Sequence, residues 1–79
     1  ASFTLIPSFV KRGRAINVKA TDDDFREAAI VDVDGRIMKT YRFSSSFNIE
    51  TSQLQKGIYF LWITDKSLKL YIQRFAVTD

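Results

Sequence analysis

The sequence predicts an all-β domain, an antiparallel β-sandwich of about seven short strands. Apolar and polar residues alternate in several segments, turn signals recur at roughly eight- to twelve-residue spacing, and no segment shows a convincing helical period. Connections this short favour antiparallel pairing of neighbouring strands. The chain has 79 residues, of which 46% are hydrophobic and 27% charged. It is therefore expected to form a single globular domain, residues 1–79, with its own core.

The first part of the chain predicts two strands. "FTLI" is the first, and "RAINVKAT" is the second, with Ile16, Val18 and Ala20 on one face. The segment "DDFREAAI" that follows is compatible with a single helical turn capped by an aspartate. No other segment offers a helix.

The strongest local signal is Asp34-Gly35, which splits "AAIVDVDGRIMKTYRF" into two strands. This dipeptide tolerates the positive φ angles of a two-residue hairpin turn. Asp32 stands two residues earlier in an apolar run, where a buried carboxylate would need a partner. Arg36 across the hairpin is the expected partner, and Asp34 is expected to serve the turn.

After the short strand "FNIE", the segment "TSQLQKG" predicts a corner that leads into "IYFLWIT". In a β-sandwich a tyrosine at such a corner can hydrogen-bond back to the corner's backbone, an arrangement called a tyrosine corner. We expect Tyr59 to do this, Leu54 to fill the apolar underside, and Gly57 to supply a backbone angle that a Cβ would obstruct. The six apolar residues from Ile58 to Ile63 predict a central strand covered on both faces.

A turn at Asp65-Lys66-Ser67 leads into the last strand, "LKLYIQRFAV". Its apolar residues change phase, from positions 68, 70 and 72 to Phe75 and Val77, which predicts a bulge near Gln73-Arg74 or cover on both faces. As the final strand, residues 68–77 are expected to offer an exposed edge to which a partner could add a strand. Exposed edges also allow the isolated domain to be a monomer or a strand-exchanged dimer.

The residue types argue against an enzyme. The chain has no cysteine and no histidine, which removes the commonest general base and the thiol nucleophile. The aspartates at 22, 23, 24, 32 and 34 do not have the spacing of a calcium loop, so neither a metal nor another cofactor is expected. The net charge is +3, but the basic run around Gly13 is better explained as a solvated turn than as a nucleic-acid site.

The apolar residues bear on two further classes of function, membrane insertion and sugar binding. The longest apolar run has six residues, far short of the ~20 that a membrane-spanning helix needs, so no direct membrane insertion is expected. Trp62 with Tyr59, Phe60 and Tyr71 could form a stacking platform for sugars, although core packing is the preferred interpretation of these aromatic residues. The first residue is not methionine, which suggests a domain excised from a longer protein.

Three stretches, taken in order, resemble one family. "IVDVDGRIM" resembles the pattern I-Y-D-x-x-G-R-x-V, "IETSQLQKGIYFLWI" resembles I-D-x-S-x-L-x-x-G-I-Y-x-x-x-I, and "IQRFAV" resembles a closing K-F-x-V element. Together they resemble the C-terminal sorting domain of the type IX secretion system, type A, from about Pro7 to Val77. The chain departs from the family pattern at Thr51, where an apolar residue is usual, and at Arg74, where lysine is usual.

The resemblance implies an immunoglobulin-like sandwich without catalytic activity that acts as an export address. Its partners would be the outer-membrane type IX translocon and its carrier protein, with the cell-surface sortase as a further candidate. The cargo would be periplasmic in transit and then reach the cell surface, the outer membrane or the medium. The alternative is an immunoglobulin-like adhesion module or a carbohydrate-binding module of a surface protein. The signature residues carried over by position are Asp32, Gly35, Arg36, Leu54, Gly57, Tyr59, Arg74 and Phe75.

Overall fold

A computed structural model describes residues 9–20 and 26–79, and within them the fold is all-β. The seven strands are β1 (Phe9–Lys11), β2 (Ala15–Lys19), β3 (Arg26–Asp32), β4 (Ile37–Phe43), β5 (Ser46–Glu50), β6 (Gly57–Thr64) and β7 (Leu70–Thr78). The predicted fold class is confirmed. The predicted strand "FTLI" lies outside the described residues, and the first strand described is instead the three-residue β1.

The strands form two sheets that face each other. The large sheet has the order β1-β7-β6-β3-β4, and the small sheet pairs β2 with β5. All pairings are antiparallel except β1 with β7, which is parallel and places Val10 opposite Val77. An immunoglobulin-like sandwich describes this arrangement broadly. The prediction that all strands pair antiparallel is thus wrong at one edge.

The core lies between the two sheets, on the inward face of each strand. β2 alternates as predicted, with Ile16 and Val18 buried and Asn17 and Lys19 exposed. The twelve buried residues of the core cluster are Ile16, Val18, Ala28, Ile30, Phe43, Ile49, Leu54, Tyr59, Leu61, Ile63, Phe75 and Val77. The alternation of strands with period two therefore explains most of this core.

Several local predictions are wrong. Residues 26–30 of the proposed helical turn are strand, and the rest of that segment lies outside the described residues. β7 pairs with β6 in unbroken register from Leu70 to Val77, so it has no bulge near Arg74. The large sheet instead has an irregularity between Ile30 and Val31, where β4 contributes the extra residue Met38. The sequence gives little sign of this irregularity, because Ile37 and Met38 are both apolar.

The faces of β6 and β7 also differ from the prediction. β6 is central, as expected, but it alternates: Tyr59, Leu61 and Ile63 are buried, whereas Trp62 is exposed. The prediction that both its faces are covered is therefore wrong for the described part of the chain. The exposed edge expected of β7 is covered by β1 at residues 76–78, whereas residues 70–75 pair only with β6 within the described chain. In the described sheet the outermost strands are β1 and β4.

Candidate functional site

The three signature stretches meet at one end of the large sheet. Asp32 at the end of β3 lies opposite Tyr59 of β6, and Tyr59 lies opposite Phe75 of β7. The rings of Tyr59 and Phe75 are stacked with their centroids 5.8 Å apart. The ordered sequence pattern thus corresponds to one continuous row across three neighbouring strands.

The β3–β4 connection is built around the Asp32 carboxylate. Its Oδ1 accepts hydrogen bonds from the backbone N–H groups of Asp34 and Arg36, both at 2.9 Å. Gly35 has φ +82°, a left-handed value that glycine adopts without strain, and its N–H donates to the Asp32 carbonyl. The connection spans residues 33–36, so the predicted two-residue turn is wrong. The side chain that holds the turn is that of Asp32 and not, as expected, that of Asp34.

The predicted ion pair between Asp32 and Arg36 is confirmed, with 3.8 Å between Oδ2 and Nε. The Arg36 side chain is 73% exposed, so the pair adds little to stability. Its guanidinium is free to contact a partner on its solvent side. Asp32 is therefore mainly a turn residue, and Arg36 mainly a surface cation.

The tyrosine corner is confirmed. The Tyr59 hydroxyl donates to the Gln55 carbonyl at 2.7 Å, while the ring is buried in the core. Leu54 is buried beneath the corner, as predicted, and its N–H donates to the Thr51 carbonyl. Gly57 has φ +157°, just outside the extended range, and a Cβ there would meet no atom within 4 Å. The predicted backbone angle is therefore confirmed, since a residue with a Cβ is strained at this φ even though the space around Gly57 is open.

Thr51 is a structural residue that the sequence pattern did not identify. Its hydroxyl donates to the Arg14 carbonyl at 2.6 Å and accepts from the Gly13 N–H at 2.9 Å. The side chain is fully buried, so these bonds fix the β1–β2 loop to the corner. The departure from the family's usual apolar residue was the available signal, since a buried hydroxyl needs partners.

The β6–β7 connection has the same hydrogen-bond pattern as the β3–β4 connection. The Asp65 Oδ1 accepts from the N–H groups of Ser67 and Lys69 at 2.9 Å, as Asp32 does with Asp34 and Arg36. Leu68 takes the place of Gly35, with φ +66°. Hydrogen bonds from the backbone of Lys69 and Ser67 and from the Tyr71 hydroxyl lower the pKa of Asp65, although its burial opposes this shift. The sequence signal is the shared pattern of an aspartate, three intervening residues and a cation.

The structure separates the signature residues into two groups. Leu54, Tyr59 and Phe75 belong to the core, and Asp32, Gly35 and Gly57 lie at turns and strand ends. Arg36 and Arg74 are the two with long side chains exposed to solvent. Arg74 lies on the face of β7 that points away from the core, opposite Phe60.

The proposed sugar platform does not form as one surface. Tyr59 faces the core and Tyr71 packs against it, whereas Phe60 and Trp62 lie on the outer face of the large sheet. Trp62 is 37% exposed, so the preference for core packing is wrong for this residue. One aromatic residue of the four is thus available on the surface as a large exposed ring.

The acidic residues are dispersed in the described part of the chain. No group of three or more aspartates and glutamates comes together there, and Asp22, Asp23 and Asp24 lie outside it. Within the same ranges, no helix is long and apolar enough to cross a membrane.

Comparison with known proteins identifies the family. The chain matches the family described as the secretion system C-terminal sorting domain over residues 12–78. A comparison with curated proteins gives no match. The family match covers most of the chain and includes all three stretches that meet at the Asp32–Tyr59–Phe75 row. The chain therefore belongs to the C-terminal sorting domains of the type IX secretion system.

Proposed function

We propose that this module carries its cargo across the outer membrane by being recognised, in its folded form, by the type IX translocon and its carrier protein. The cargo first crosses the inner membrane and is periplasmic in transit, and it then reaches the cell surface or the medium. A cell-surface sortase is a further partner of the same module. The module itself performs no reaction.

The observation that carries this proposal is that the family signature is built into the fold. Tyr59 and Phe75 are buried, and the Asp32 carboxylate accepts hydrogen bonds from backbone N–H groups of its own loop. Side chains that are used inside the domain cannot be read directly by a partner. They stabilise the surface that is read, so recognition depends on the folded module and not on a linear motif.

The experiment fuses residues 1–79 to a periplasmic reporter in a type IX-competent cell and measures the reporter on the surface and in the periplasm. Delivery to the surface in this cell, and retention in the periplasm of a cell that lacks the translocon, is the expected result. Surface delivery in both cells, or in neither, would refute the proposal.

Three variants connect delivery to folding. Phe75→Ala removes a fully buried ring and costs about 3–5 kcal/mol. That is a large part of the roughly 4–12 kcal/mol expected for a domain of this size, so delivery should fall with the folded fraction. Lys66→Gln, in the exposed β6–β7 loop, is the matched control and should be delivered normally. Deleting "RFAVTD" is expected to retain the cargo in the periplasm for the same reason, since it removes Phe75 and Val77 from the core.

A further inference from the structure

The outer face of the large sheet is apolar although the described chain does not cover it. We define this outer face by the outward residues at its centre: Val31 of β3, Phe60 and Trp62 of β6, and Ile72 and Arg74 of β7. Ile72 is 56% exposed and Trp62 37%. Leu70 and Phe9 extend the same face and are also exposed. Outward positions of an antiparallel sheet that meets water are normally polar, so this face departs from the expected pattern.

The outer face is already packed within itself. Val31 is buried to 1% exposure, yet it does not belong to the core cluster between the sheets. It lies opposite Phe60 on one side and Ile37 on the other, and it lines a depression together with Phe60 and Trp62. The outer face is therefore a preformed surface, which lowers the entropic cost of binding a partner.

Two shallow depressions flank Trp62 on this face. One is lined by Ala29, Thr40 and Arg42, where the small alanine side chain leaves room between β4 and β6. The other is lined by Val31, Phe60 and Ile72. Trp62 contributes to both, so it stands as a ridge between two places where a partner's side chains could insert. A central tryptophan with pockets beside it is typical of the residues that dominate binding energy at protein interfaces.

The charges on the outer face indicate what kind of partner fits. Arg42 pairs with Glu27 at 3.9 Å, which neutralises that end of the face. Arg74 forms no ion pair within the described residues, and Lys11 of β1 points to the same side. The apolar area therefore has an unmatched positive charge beside it, which favours a partner that presents a carboxylate next to apolar side chains.

The size and charge of the face argue against a second copy of this chain as the occupant. The five strands hold 34 residues, which at about 3.3 Å per residue and about 4.8 Å between strands give a face of roughly 540 Å². A standard stable interface buries about 800 Å² on each partner. Two copies face to face would also bring like charges together. A contact of this size instead suits a transient partner that must release the module.

We propose that the outer face, centred on Trp62 and Ile72 with Arg74 beside them, is the surface that docks on a protein of the export machinery. The partner presents apolar side chains on both sides of Trp62 and a carboxylate opposite Arg74. This inference rests on the proposed function, because it names the surface through which the folded module is recognised.

The test uses the reporter fusion described above with variants of the outer face. Ile72→Thr keeps a β-branched side chain on β7 but removes the apolar contact, and Arg74→Glu reverses the charge. Each should reduce surface delivery at least tenfold, while Arg74→Lys delivers normally. Met38→Thr is the matched control, since Met38 is 44% exposed but lines a depression on the other side of the sheet with Ile30 and Ile49. It should not change delivery.

Melting curves of the purified modules show whether the variants fold. Ile72→Thr and Arg74→Glu should melt within a few degrees of wild type, because both side chains are exposed. Wild-type delivery of folded Ile72→Thr and Arg74→Glu would overturn the inference and leave the proposed function standing. Failure of the wild-type fusion would instead refute the proposed function itself.

Two further measurements address other occupants of the outer face. Trp62 is the only tryptophan in the chain, so its fluorescence reports on this surface alone. A saturable fluorescence change with a soluble polysaccharide would overturn the inference in favour of a carbohydrate ligand. A dimer in sedimentation that Ile72→Thr dissociates would overturn it in favour of self-association. A monomer with unchanged fluorescence supports it.

Discussion

Replacing Tyr59 by phenylalanine tests whether a signature residue acts through the fold or is read directly. The change removes the hydroxyl that donates to the Gln55 carbonyl at 2.7 Å and leaves the buried ring in place. Losing one such hydrogen bond costs about 1–1.5 kcal/mol, because the carbonyl loses its partner in a partly buried corner. In a domain of this size each kcal/mol lowers the melting temperature by about 4–8 °C.

This loss is too small to unfold the module. Stability of roughly 4–12 kcal/mol leaves at least about 2.5 kcal/mol after the substitution, so about 98% or more of the molecules stay folded. We therefore expect Tyr59→Phe to melt about 4–12 °C lower than wild type while the fusion still reaches the surface. Circular dichroism melting of the purified module and surface labelling of the fusion measure the two quantities.

The matched control is Tyr71→Phe, which removes a longer hydroxyl bond, 3.3 Å to the Asp65 Oδ2, and should lower the melting temperature less. The reasoning fails if Tyr59→Phe keeps its folded state but is not delivered, because the hydroxyl would then be a contact of the machinery. It also fails if the melting temperature does not fall.

Three other substitutions test the local structure through melting temperature. Thr51→Val should destabilise the domain by about 1–2 kcal/mol because the Gly13 N–H and the Arg14 carbonyl lose their shared partner, whereas Thr51→Ser should retain most of the stability. Leu68→Gly should stabilise it by about 0.5–1 kcal/mol, since the positive φ of an exposed leucine is relieved and little packing is lost; an unchanged or lower melting temperature would contradict this. The lowered pKa of Asp65 means that its ionised form stabilises the fold above the usual aspartate value of about 3.9, and that this stability is lost as the pH falls further. Asp65→Asn should therefore show a weaker loss of melting temperature between pH 5 and pH 2 than wild type, and equal acid sensitivity would refute the assignment.

The sequence correctly predicted features that are set by residues close together along the chain. Period two placed Ile16 and Val18 in the core, and the spacing from Leu54 to Tyr59 predicted the tyrosine corner, because both are set by local geometry. The pairing of β1 with β7 was not predictable in this way, since it joins residues almost seventy positions apart and leaves no local pattern. For the same reason the cover that β1 gives to residues 76–78 of β7 was not expected.

The errors at β6 and β7 have a common cause. A run of apolar residues in β6 was taken to mean that both faces are covered, and a phase change in β7 was taken to mean a bulge or cover on both faces. Both inferences assume that apolar side chains face the core. In the structure the side chains of both strands alternate between the core and the outer face. The outer face is unusual because it carries the exposed apolar side chains of Trp62 and Ile72. The apolar residues of the candidate docking surface were therefore interpreted, from the sequence, as residues that serve folding.

The apolar outer face requires an explanation that the fold alone does not give. The inward side chains of β6 already fill the core, so a polar residue at position 62 or 72 would cost the sandwich little. Exposed apolar side chains in a contiguous group favour association with other surfaces. Under the proposed function the folded module binds its machinery and then leaves it, which requires a contact that is apolar but small. The outer face meets both requirements, because its apolar side chains supply the attraction and its area limits the strength of the contact.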